Sequence, residues 1–272
     1  MKTNFIILLT LVFLSGCTDK SNIGEIPMEV NSSITNIKLF QETNIYFGHK
    51  SVGNNIIEGI RTIARDNKRN DIIIYRLDDE EKLPKNYFVH SSIGKNGDPI
   101  SKIREFQTNI DSLIKENLKI AMMKFCFADF DKNSDIDGVF QTYVTTINSM
   151  KNNYPDLIII HFTIPLKAEK SFLGKLKAFV KGESDKIFYD NFARNKYNDL
   201  IWSNYPAENI FDIAKIESTY SDGKRKIEKL NGVQCYFMIN EYSRDGSHLN
   251  ELGQKLVANE LINYIAKINI GK

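Results

Sequence analysis

From Asn44 onward the chain alternates between short, almost continuous apolar runs and longer segments in which apolar residues recur every three or four positions. The runs NIYFG (44–48), DIIIYRL (71–77), KIAMMKF (119–125), DLIIIHF (156–162) and NIFDIA (209–214) are rich in isoleucine and phenylalanine. Short runs with no polar face fit strands buried on both sides, as in a parallel sheet. Residues 52–66, 100–117, 136–152 and 190–204 carry helical periodicity instead. A further helix is predicted over 250–268, where Leu252, Leu256, Leu261, Ile265 and Ile268 recur at helical spacing behind an Asn250 N-cap, with Glu251 in the first turn. Strands alternating with helices predict βαβ crossovers and an α/β fold, with a mainly parallel sheet of about five strands between two helical layers. Two segments break the alternation. Residues 167–189 form a lysine-rich insertion after the fourth strand, and 221–239 carry Asp222-Gly223 and Asn231-Gly232, the turn signals of a small hairpin.

The first residues follow a different rule. Met1-Lys2, an apolar stretch from Phe5 to Leu14 and then Ser15-Gly16-Cys17 have the layout of a bacterial secretion signal. The stretch is short for a membrane-spanning helix, and the small residues before Cys17 mark a cleavage point. Leu14-Ser15-Gly16-Cys17 resembles a lipobox, which implies that residues 1–16 are removed and that Cys17 carries a lipid. Residues 17–40 are polar with scattered apolar positions and suit a tether. The folded body is then 41–272, the right size for one α/β domain.

Net charge is +2 with acids and bases interspersed, so a nucleic-acid partner is not expected. Cys126 and Cys235 lie in apolar, strand-like sequence and read as buried thiols, with a disulfide as the alternative. No CxxC or HExxH pattern points to a metal, and no cofactor is expected.

In an open α/β sheet, ligands bind beyond the carboxyl ends of the strands. The first run leads into GHKSVGNN, which places Ser51 between Gly48 and Gly53 at a strand-to-helix turn. There the positive end of the helix favours a developing oxyanion, although a serine in that position also serves as a helix cap. Far downstream, YSRDGSHLNELG holds Asp245 and His248 three positions apart, just before the terminal helix. A serine nucleophile needs a base, and the base needs a carboxylate to fix its tautomer. One loop supplies both. The alternative is a plain Asp-Gly turn beside a surface histidine.

With DGSHLNELG in view, the chain resembles the SGNH hydrolases, also called GDSL esterases and lipases. That family has a flavodoxin-like three-layer α/β/α fold, a serine after the first strand and a DxxH motif before the last helix. The resemblance spans about Asn44 to Ile268, and it implies Ser51 as nucleophile, His248 as general base and Asp245 as its partner. The chain also departs from the family pattern. Gly48-His49-Lys50-Ser51 stands where Gly-Asp-Ser is usual, and Cys126-Phe127-Ala128-Asp129 stands where Gly-x-Asn-Asp is usual, so the asparagine that donates to the oxyanion is missing. By the same resemblance Gly94, in HSSIGKNGDP (90–99), is the second-block glycine. Oxyanion donors are expected from Ser51, Gly94 and Asn96, with a turn role for Lys95–Asp98 as the alternative for Asn96. Asp129 is a candidate support for the active-site loop, with a turn or helix cap as the alternative; His49 and His161 are candidates for substrate contact, with a hydrogen-bonded structural role as the alternative, and His90 is a candidate for lining the loop that holds Gly94. The lysines of 167–186 read as a solvated face, with an anionic glycan or membrane headgroups as the alternative contact.

The sequence therefore leads to an expected serine esterase anchored in the bacterial envelope through its lipid, facing outside the cytoplasm. Its substrate would be an O-acyl ester, by preference O-acetyl on a glycan. Lysophospholipid or another acyl ester, acyl transfer, and a weakly active glycan-binding protein of the same fold are the alternatives.

Overall fold

The computed structural model describes residues 34–69, 72–79 and 82–270. The expected signal, Cys17 and the tether up to residue 33 lie outside the described residues.

The sheet is built on β1 (Ile45–His49), whose five residues are all buried. It pairs in parallel with β3 (Phe88–Ser92) on one side and β4 (Ile120–Met123) on the other. The sheet extends to β2 (Ile74–Arg76), β5 (Ile158–Phe162) and β6 (Ile210–Phe211), giving the order β2-β3-β1-β4-β5-β6 with every pair parallel. The sheet has six strands where about five were expected. The additional strand is FVHSS, in which two apolar residues are followed by three polar ones. Its place beside β1 supplies partners for that polar end: Ser91 Oγ lies 2.8 Å from Tyr46 Oη. The strand over 71–77, expected to be buried on both faces, is shorter than its apolar run and only partly buried because it lies at the edge of the sheet.

Helices cover both faces. On one side, α1 (Ile34–Gln41), α2 (Val52–Asp66), α7 (Ile213–Ser218) and α8 (Glu251–Ile270) pack over a core that includes Phe47, Ile60, Phe162 and Leu261. On the other, α3 (Pro99–Leu113), α4 (Ile136–Asn153) and α6 (Lys186–Asn204) enclose Tyr46, Phe106, Ile147 and Tyr197. Asp98 and Asp135 cap α3 and α4 by accepting from Ser101 N and Gly138 N. The folded body begins earlier than residue 41. Ile37 and Phe40, one turn apart on α1, are buried against the α8 side of the core, so 34–40 is helix rather than tether.

A close helix contact positions the site. Gly59 lets α2 approach α8 so closely that a Cβ there would lie 2.2 Å from the Gln254 carbonyl oxygen. This brings the head of α2, which follows β1, toward the loop that leads into α8. The lysine-rich insertion forms α5 (Phe172–Val180) and the first turn of α6. The predicted hairpin is β7 (Ile227–Leu230) and β8 (Val233–Tyr236), with Asn231 and Gly232 at φ 49° and 79°, as a type I′ turn requires. Cys126 and Cys235 are buried free thiols.

Candidate active site

Ser51 stands at the head of α2 with φ 54° and ψ −108°. A non-glycine residue pays about 1–3 kcal/mol for such backbone, and the surroundings hold it there. Gly53 N donates to Lys50 O at 3.1 Å and Asn54 N to Ser51 O at 2.8 Å, which closes the turn. Residue 53 must be glycine because the buried His49 ring lies over it: a Cβ would sit 2.3 Å from His49 Cγ. The serine side chain makes no cap to its own helix. Its Oγ instead lies 2.7 Å from His248 Nε2.

The loop before α8 is organised around Asp245. Its Oδ1 accepts from Ser247 N at 2.9 Å and from His248 N at 2.8 Å, and its Oδ2 lies 2.8 Å from His248 Nδ1. Partial burial pushes this carboxyl up, but the hydrogen bonds from the His248 ring and the two amides outweigh it and hold the pKa below the ordinary value. Gly246 takes φ 83° between them. The loop is fixed from three sides. Leu249 N donates to Asn55 Oδ1 on α2 at 3.2 Å, Ala168 N donates to Gly246 O at 3.0 Å, and the Phe127 ring meets the His248 ring edge-on at 5.5 Å. Asn250 caps α8 as expected, accepting from Gly253 N at 3.0 Å. Ser51, His248 and Asp245 thus form one continuous hydrogen-bonded chain at the carboxyl edge of the sheet. An Nδ1–H held by Asp245 leaves Nε2 free to accept the serine proton.

The second loop differs from expectation. Gly94 has φ 53°, and its N–H donates to Glu105 Oε2 at 2.8 Å, so that amide is already engaged by a carboxylate and is not the expected oxyanion donor. Its carbonyl accepts from Lys50 Nζ, which ties the loop to the Ser51 turn. Asn96 is exposed, and its Oδ1 accepts from Lys102 Nζ at 3.0 Å, leaving the NH₂ end of the amide to donate outward. The same Nζ lies 2.5 Å from Asp129 Oδ2, with both side chains fully buried. Asp129 also accepts from Gly97 N at 2.9 Å and Cys126 N at 2.7 Å. Asp129 therefore does hold the active-site loops, joining the segment after β3 to the segment after β4.

Of the other histidines, His49 and His161 are buried and His90 is half-buried. His49 Nε2 lies 2.9 Å from His90 Nδ1, with the rings stacked, and His49 Nδ1 is buried without a partner among the described residues. His161 is fully buried, with Nδ1 2.8 Å from Tyr143 Oη and its ring stacked on Tyr205. His49 and His161 therefore do not line the cleft. Burial lowers all three: His49 well below its ordinary value, His90 to about 4 and His161 to about 3.

Two residues went unnoticed in the sequence, and Lys167, expected on a solvated face, is half-buried beside them. Lys102 shares the buried face of α3 with Ile103, Phe106 and Ile110, and a lysine on an apolar stripe was the available signal. Arg194, buried on α6, donates from Nε to Phe127 O at 2.9 Å and so holds the ring that backs His248. Lys167 Nζ lies 5.0 Å from the centre of that ring on another side. Among the described residues no cluster of three His, Cys, Asp or Glu is arranged to hold a metal, and no helix is long and apolar enough to cross a membrane.

No family model and no curated protein matches the chain. Among solved structures it is similar to a GDSL-like lipase from Bacteroides thetaiotaomicron, at 11% identity over 84% of this chain and 89% of that one, with a TM-score of 0.48. It is similar to the periplasmic domain of a lipopolysaccharide acetyltransferase from Salmonella ser. Paratyphi A, at 16% identity over 86% of this chain and 89% of that one, with a TM-score of 0.48. A lipase/acylhydrolase from Enterococcus faecalis gives 12% identity over 83% of this chain and 96% of that one, with a TM-score of 0.45. The chain is a three-layer α/β/α protein built on an all-parallel six-stranded sheet.

Proposed function

We propose that this protein is a serine ester hydrolase of the SGNH type. The observation that carries the reading is the Ser51–His248–Asp245 chain, with 2.7 Å and 2.8 Å links and the serine in a strained turn at a helix head. In this reading Ser51 Oγ attacks the ester carbonyl while His248 Nε2 takes its proton. Asp245 stabilises the imidazolium, and the same proton then goes to the departing alcohol oxygen. Water, activated by His248 in turn, hydrolyses the acyl-enzyme. The Ser51 backbone N–H, which has no partner among the described residues, and the Asn96 NH₂ are the proposed oxyanion donors.

The preferred substrate is an O-acetyl ester on a glycan, reached by an enzyme whose Cys17 carries a lipid and which faces outside the cytoplasm. Lysophospholipid is the second substrate class. Acetate release from O-acetylated glycan, and fatty-acid release from lysophospholipid, should be measured for the native protein and for Ser51→Ala. The reading expects acetate release that Ser51→Ala abolishes. Fatty acid alone would reject the glycan assignment, and equal release by Ser51→Ala would reject the serine mechanism. For the anchor, Cys17→Ser should free the protein from the membrane fraction or leave the signal uncleaved. Normal cleavage with unchanged attachment contradicts it.

A further inference from the structure

The chain leaves the carboxyl end of β5, the edge that holds Ser51 and His248, passes Lys167 and Ala168 beside the catalytic loop and rises into α5. This helix is turned inside out relative to the rest of the fold. Among its described side chains the buried one is Ala178, whereas Leu173, Leu176, Phe179 and Val180 are exposed, the last at 80%. At 100° per residue these four fall on one face, opposite Ala178. Isolated exposed apolar residues are ordinary, but four on one face of a nine-residue helix form a patch that needs a partner.

The lysines indicate which partner. Residues 167–186 contain six lysines and three acidic residues, a net of +3. Lys175 flanks one side of the apolar face and is paired with Glu169 at 2.9 Å. Lys177 and Lys181 flank the other side and make no ion pair among the described residues. An outward apolar stripe bordered by cations fits the boundary between the headgroups and acyl chains of an anionic bilayer.

We infer that α5 is an interfacial helix that docks the body of the protein onto an anionic phospholipid surface, with Leu173, Leu176, Phe179 and Val180 inserted and Lys177 and Lys181 at the headgroups. This contact is separate from the proposed lipid on Cys17 and does not depend on the hydrolytic reading. It places the carboxyl edge of the sheet, rather than the opposite end, toward the membrane.

The test uses the full chain carrying Phe179→Trp, mixed with vesicles of phosphatidylcholine containing phosphatidylglycerol and brominated acyl chains. The introduced indole should shift to the blue and be quenched, while native Trp202, measured in the unmodified chain, should not change. Lys177→Glu with Lys181→Glu should weaken the quenching on the order of tenfold. Leu173→Gln with Leu176→Gln should abolish it and leave hydrolysis of a soluble ester intact. The readout is local, so attachment through the N-terminus does not produce it. Absence of quenching overturns the proposal. So does equal quenching on phosphatidylcholine alone, which removes the role of charge, or a blue shift that grows with protein concentration without vesicles, which assigns the face to a second copy.

Discussion

In the proposed mechanism, the residue with the sharpest consequence outside the hydrogen-bonded chain is Asn96. Gly94 has already given its amide to Glu105, and Ala128 has no side-chain donor, so the second loop retains one polar hydrogen source that is held in orientation. Lys102 fixes the oxygen of the Asn96 amide and thereby decides which way its NH₂ end faces. Asn96→Ala should lower kcat by roughly 10² to 10³-fold with little change in KM, because the interaction strengthens only as the oxyanion forms. Parallel steady-state kinetics on folded variant and native protein check this. Near-native kcat would reduce Asn96 to a turn residue. The sequence supported Ser51, Asp245 and His248 because the glycine-flanked turn and the three-residue spacing are local features. It did not reveal that Gly94 was engaged, because Glu105 reaches back from a helix eleven positions later.

At the level of elements, the central device is the buried pair of Lys102 on α3 and Asp129 after β4. It links two loops that share no backbone pairing, through Gly97 N and Cys126 N. Removing one partner leaves an uncompensated buried charge, so Lys102→Met should cost about 3–5 kcal/mol. Chemical denaturation reads this as a lowered midpoint at unchanged slope, and Lys102→Met with Asp129→Leu should recover part of the loss. A loss of less than about 1 kcal/mol in the single variant would show that the pair does not hold the loops. The helices were legible because period 3.6 persists over many residues, and α2 matches its expected range of 52–66. β3 was missed for the opposite reason. Its burial comes from neighbours on either side, and its own residues, His90, Ser91 and Ser92, look like loop until Tyr46 and His49 are seen beside them.

Taken as a whole, the molecule carries neutral histidines in its interior, and they set how its stability responds to pH. His49, His90 and His161 are pushed down by burial, to about 4 for His90 and about 3 for His161, against an unfolded value of 6.5. Between about pH 6.5 and 4 the unfolded chain therefore binds protons that the folded chain refuses, and stability falls as pH falls. Glu217 acts in the opposite sense: burial raises its carboxyl from 4.5 to about 8, so the folded chain keeps a proton that the unfolded chain releases. The three imidazoles outweigh Glu217, so unfolding near pH 5.5 should take up protons. Thermal midpoints measured across this range check the sign, and Glu217→Gln should steepen the dependence. A midpoint that rises on acidification would contradict the burial of these imidazoles in neutral form.

The proposed function depends on Ser51 being a nucleophile activated by His248. The most direct measurement is the intact mass of the protein after treatment with a fluorophosphonate serine probe, followed by peptide mapping, for the native chain and for folded Ser51→Ala and His248→Ala. The account predicts a single phosphonyl adduct on Ser51 of the native protein, none on Ser51→Ala, and labelling slowed by several orders of magnitude in His248→Ala. An adduct on another serine, or labelling of Ser51 at the same rate without His248, would contradict it.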